Sequence, residues 1–122
     1  MRTFYRIVSL SLLFGVVHSA LTPVFYKEPT EDSFWFFATG LTLVFSGMMN
    51  LFALSANQNW IYNICIISNV IMLIWVSALT VLLNGALNAV VVIFMYLGVL
   101  LGSIFFRINP MLLGKSKKYE IF

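Results

Sequence analysis

Charge is scarce in this sequence. Seven Lys and Arg and four Asp and Glu give 9% charged residues in 122, against about 25% in soluble domains. So few charges cannot coat a water-facing surface. The single cysteine, Cys65, has no partner for an intrachain disulfide or a zinc site, and in an apolar run it reads as a small packing residue. The single histidine, His18, rules out a bis-histidine haem. The sequence has no His, Cys, Asp and Glu cluster at metal-ligand spacing, so neither metal nor cofactor is expected. A glycine-rich phosphate loop is missing as well. No carboxylate inside an apolar run can orient His18 as a triad base. An enzyme is therefore not expected.

What is present is apolar surface, 61% of the residues, gathered into long blocks. The blocks run from about 6 to 26, 33 to 54, 60 to 83 and 87 to 107. Each suits a helix of about 20 residues crossing the hydrocarbon core, and none contains an internal charge. The connections are short: Lys27–Asp32, Ser55–Asn59 and the Asn84–Gly85 turn. Short links force neighbouring helices to run antiparallel. The expected fold is therefore an all-α membrane protein, a single domain over 1–122 built as an up-down-up-down bundle of four transmembrane helices. Pro29, Glu31 and Asp32 suit the start of the second helix, where acidic groups meet the positive end of the helix dipole.

Arg2, Arg6, Arg107, Lys115, Lys117 and Lys118 fall on one side of such a bundle and Lys27 alone on the other. Cytoplasmic loops are rich in Lys and Arg, which puts both termini in the cytoplasm of a cell (inner or plasma) membrane protein. The basic ends thus read as membrane flanks and not as a nucleic-acid surface. Tyr5 and Tyr26 bracket the first span, Trp35 begins the second, and Trp60 and Tyr62 begin the third, as interfacial aromatics do. Trp75 and Tyr96 fall mid-span and should face protein or a cavity. A second reading of the start exists. Met1–Arg6, Ile7–Val17 and Val17-His18-Ser19 resemble the three regions of a cleaved signal peptide. The apolar run continues to Tyr26, which favours a retained span.

Function must then be sought among neutral polar residues. Ser11, Gly15, His18 and Thr22 are spaced to share a helix face, as are Thr39, Thr42, Ser46 and Asn50, with Gly40 and Gly47 on an adjacent stripe. Asn69, Val76 and Thr80 form a third face beside Ser77, and Gly98 and Gly102 precede Ser103 in the fourth helix. Small residues let helices approach in lipid, and Ser, Thr and Asn bond across the contact. Gly15, Gly40, Gly47, Asn50, Asn69, Gly98 and Gly102 therefore read as packing positions, the last two within the bundle or against a second copy. Asn50, Asn63 and Asn69 should pair between helices, because an unpaired amide in lipid is costly.

His18 is the pointed residue, since an ionisable group at membrane depth is a functional-site hypothesis. Antiparallel threading sets Thr39, Thr42, Ser77 and Thr80 at its depth as hydroxyl partners. The first expectation is a non-enzymatic accessory or structural protein acting through helix contacts with lipid, a second copy or a membrane partner. The alternative is a pocket for a small apolar or neutral molecule built from His18, Thr39, Thr42, Trp75, Thr80 and Tyr96. A membrane enzyme using His18 as acid or base comes third. In size and helix count the chain is similar to the four-helix DoxX-like membrane proteins, a likeness that carries no motif and so implies no residue roles.

Overall fold

Thr30 sets the start of the longest helix. Its hydroxyl accepts from the Ser33 amide while the Ser33 hydroxyl accepts from the Thr30 amide, a reciprocal cap that satisfies two orphan donors. Glu31 and Asp32 fill the first turn, and Asn57 ends the helix in the left-handed region, φ 48°. The computed structural model describes residues 1–109, all-helical with no strand among them. The helices are α1 (Arg2–Leu12), α2 (Gly15–Ala20), α3 (Thr22–Phe25), α4 (Glu31–Ala56), α5 (Asn59–Leu82) and α6 (Leu87–Ile108). Together α1–α3 form one apolar stretch, Arg2–Phe25, and with α4, α5 and α6 they make four stretches long and apolar enough to cross a membrane. Lys115, Lys117 and Lys118 lie outside the described residues.

The first stretch is not one uniform helix. Between α1 and α2 the amides of Leu13, Phe14, Val16 and Val17 bond three residues back, at 2.9–3.1 Å, which tightens the turn. At Pro23 the missing N–H leaves the Ser19 carbonyl without its helical partner, and the Thr22 hydroxyl takes it at 2.7 Å. The buried face of this stretch is Tyr5, Ser9, Leu12, Gly15 and Ser19. The stripe expected from uniform spacing shares only Gly15 with it; Ser11, His18 and Thr22 are half-buried beside it.

Close approach decides where the helices meet. A Cβ on Gly15 would collide with the Gly40 carbonyl, and one on Gly40 would run into Gly15 and Ser19, so backbone meets backbone there. The Ser19 hydroxyl donates to the Phe37 carbonyl across the same contact at 2.9 Å. Gly47 faces the Ser9 carbonyl and Leu12, Gly98 faces Val8, and Gly102 lies under the Tyr5 ring. Each packing glycine thus meets a neighbour within the chain. α5 and α6 pair along their length, and α1 packs against both α4 and α6.

One buried hydrogen-bonded cluster takes a side chain from each of the four stretches. The Tyr5 hydroxyl donates to Asn50 Oδ1 at 2.7 Å and lies 3.0 Å from the Ser103 hydroxyl. Asn69 Nδ2 donates to Asn50 Oδ1 at 2.9 Å, and Asn50 Nδ2 donates to Asn69 Oδ1 at 3.1 Å. Asn50 Nδ2 also reaches the Ser46 carbonyl, and the Tyr96 hydroxyl donates to the Ser46 hydroxyl at 2.9 Å. Tyr5, Asn50, Asn69, Tyr96 and Ser103 are all fully buried. Tyr5 is therefore no interfacial anchor: its phenol finds its partners inside the bundle, and α1 begins at Arg2, four residues before the expected Arg6. Asn63 stands apart from the cluster, accepting from Arg107 Nε at 2.7 Å.

Asn50→Ala would strip partners from Tyr5 and Asn69 at once. It is expected to cost about 1–3 kcal/mol in a detergent unfolding titration, whereas exposed Asn63→Ala stays within about 0.5 kcal/mol. Gly40→Leu is expected to part α2 from α4 and abolish the cooperative transition, because it meets the Ser19 hydroxyl and, behind it, the unyielding backbone of Gly15 and Ser19.

Candidate functional site

Away from the buried cluster the bundle is less completely filled. A cavity of about 370 Å³ lies among α2, α4, α5 and α6. Its size falls within the range of small-molecule sites, about 300–1,000 Å³. His18 enters from α2; Phe36, Thr39, Thr42 and Leu43 from α4; Met72, Trp75, Val76 and Leu79 from α5; and Asn88, Ala89 and Val92 from α6 and its first turn. The lining is chiefly apolar, and among the described residues it has no Lys, Arg, Asp or Glu.

His18 does not meet the expected hydroxyls. Thr39 and Thr42 donate to the Trp35 and Ala38 carbonyls, each at 2.8 Å, and Ser77 and Thr80 donate to the Leu73 and Val76 carbonyls, each at 2.7 Å. A hydroxyl on a helix face finds its own backbone four residues back before it finds a neighbouring helix. His18 is stacked instead on the Phe36 ring, with centroids 3.9 Å apart and planes at 22°. Phe25 and Tyr26 pack edge-on or tilted against the same Phe36 ring. Trp75 faces the cavity and tilts towards Trp35, ring centroids 6.5 Å apart, while remaining about half exposed at 51%.

Of the residues expected to build a pocket, His18, Thr39, Thr42 and Trp75 line this cavity. Thr80 and Tyr96 do not. Tyr96 faces protein, but its hydroxyl is held by Ser46, and Thr80 is bound to its own helix. Phe36, Met72 and Val92 were missed by the sequence reading, because an apolar side chain lining a cavity looks the same in sequence as one filling a core. Asn88 had a usable signal, an amide within the first turn of an otherwise apolar helix. The described residues hold no group of His, Cys, Asp and Glu able to bind a metal ion.

No protein-family model, curated protein or solved structure matches the chain.

The two ends should respond differently to truncation. Met72 borders existing space, so Met72→Ala is expected to lie at or below the lower end of the usual cost for such a change, about 2 kcal/mol. Phe106 is fully buried between Tyr5, Tyr62 and Phe105, and Phe106→Ala is expected to cost about 3–5 kcal/mol by the same unfolding titration.

Proposed function

We propose that the chain is a four-span membrane bundle of up-down-up-down topology whose cavity receives a small apolar or neutral molecule, without catalysing a reaction on it. The observation that carries this reading is the cavity beside His18, bounded by three of the four spans' long helices and by α2.

Membrane insertion is supported by the outer surface, where Ile74, Val81, Phe94 and Leu87 stand 67–78% exposed. Water would reject such a surface and acyl chains would accept it. The topology is supported by the order of contacts. Tyr5 meets Asn50, Gly15 meets Gly40, and Ser19 meets Phe37, so one partner's number falls as the other's rises. Asn69 with Ser103 and Asn63 with Arg107 follow the same order. The excess of Lys and Arg near both ends supports cytoplasmic termini, with the cavity then towards the outer side. A retained first span is supported by Tyr5, Ser9 and Gly15, which cleavage after Ser19 would remove from the core.

A role resting on contacts with a second copy or a membrane partner draws less support. The small-residue seams that motivated it are occupied within the chain, and a partner would have to use lipid-facing Phe and Leu surface instead. Catalysis by His18 lacks a second titratable group in the cavity lining.

The reading is tested with the chain in lipid nanodiscs and N-phenyl-1-naphthylamine, an apolar fluorophore. Saturable enhancement above empty nanodiscs is expected. Val92→Trp, which fills the cavity from α6, should weaken it by at least about tenfold while the unfolding midpoint holds. His18→Ala should alter affinity with assembly intact. Enhancement that does not saturate, or that Val92→Trp leaves unchanged in a folded protein, overturns the reading.

A further inference from the structure

We infer that the molecule received by the cavity is a neutral planar ring bearing a hydroxyl, a phenol in chemical class; this rests on the reading of the cavity as a binding site.

The polar groups of the lining set the first requirement. The Thr39 and Thr42 hydroxyl protons are committed to the Trp35 and Ala38 carbonyls at 2.8 Å. Both residues line the cavity, and with their protons committed their oxygens offer lone pairs only. They lie three residues apart on one helix, so they address the same region of space. A ligand with only acceptors, such as an ether or a ketone, leaves this pair without a partner. A ligand hydroxyl donates to it, and its own oxygen remains free to accept. A buried acceptor left without a donor weakens binding.

Charge sets the second requirement. Among the described residues the lining contains no Lys, Arg, Asp or Glu, so an ionised ligand would be stripped of water with no counter-charge from them. A phenol stays neutral at physiological pH, unlike a carboxylic acid or an amine.

Shape sets the third. On one side the His18 ring lies flat on Phe36 at 3.9 Å. From α5 comes the indole of Trp75. Flat π faces favour a flat partner, offset-stacked or edge-on. Met72, Val76, Leu79 and Val92 supply apolar surface for a short alkyl substituent.

The test uses three matched probes, para-butylphenol, para-butylanisole and para-butylbenzoate, displacing N-phenyl-1-naphthylamine from the chain in nanodiscs, at concentrations corrected for membrane partition. The phenol is expected to displace at about tenfold lower concentration than the anisole, the gain of one good hydrogen bond, and the benzoate is expected to be weakest. Thr39→Val with Thr42→Val should erase the phenol's advantage over the anisole. If the fluorophore binds but the anisole matches the phenol, the benzoate is tightest, or the double variant keeps the difference, the phenol assignment falls and the binding site stands. If the fluorophore shows no saturable binding, both fall.

Discussion

In a bilayer, moving an apolar side chain from lipid to a helix interface gains little, because acyl chains are as apolar as leucine. Helices are then held together by what lipid cannot offer: close backbone approach and hydrogen bonds. The cluster of Tyr5, Asn50, Asn69 and Ser103 meets that constraint with one side chain from each stretch. Individually such bonds average about 0.6 kcal/mol in a measured membrane protein. Their value here lies in mutual dependence. Asn50 accepts from Tyr5 and Asn69 and donates to Asn69 and Ser46, so displacing any one stretch orphans groups on the others.

The glycine contacts follow from the same requirement. The Tyr5 phenol reaches Asn50 only because α1 lies close to both α4 and α6, and Gly47 and Gly102 remove the side chains that would hold it away. Further along, Gly15 and Gly40 keep α2 against α4, and the Ser19 hydroxyl closes that contact. Gly15 and Ser19 continue the buried face of Tyr5, Ser9 and Leu12 at helical spacing. Ser11, His18 and Thr22 belong to the neighbouring stripe, half-buried beside it.

Much of the architecture was legible because hydropathy and small-residue spacing are local properties. The four apolar stretches agree with the sequence blocks to within a few residues at each end. That Asn50, Asn63 and Asn69 bond between helices was legible, because a lone amide has no stable place in lipid, but the partners, Asn50 with Asn69 and Asn63 with Arg107, were not. Nor was Tyr5. A tyrosine four residues from a chain start reads as an interfacial anchor, and its real partners lie 45 and 98 residues away. The hydroxyl partners expected for His18 failed for a similar reason, since depth can be counted along a helix but the competition with its own carbonyls cannot. For the cavity, His18, Thr39, Thr42 and the mid-span Trp75 were legible, while leaving out Tyr96 required knowing that Ser46 holds its hydroxyl.

The position of the cavity follows from where the binding contacts stop. α4 and α5 are tied at one end by the Asn57–Gln58 turn and, further in, by the paired amides of Asn50 and Asn69. Towards the other end their polar groups turn back on their own helices: Thr39, Thr42, Ser77 and Thr80 all bond to carbonyls behind them. What meets there is bulk, Trp35 against Trp75 with centroids 6.5 Å apart. Both indoles are more than half exposed, and the cavity lies beside Trp75 among Phe36, Thr42, Met72 and Val76. Among the described residues no side-chain hydrogen bond crosses from α4 to α5 in this half, as the Asn50–Asn69 pair does in the other. The cavity thus sits where α4 and α5 are packed by apolar contact alone, the weakest fastening that a lipid environment allows.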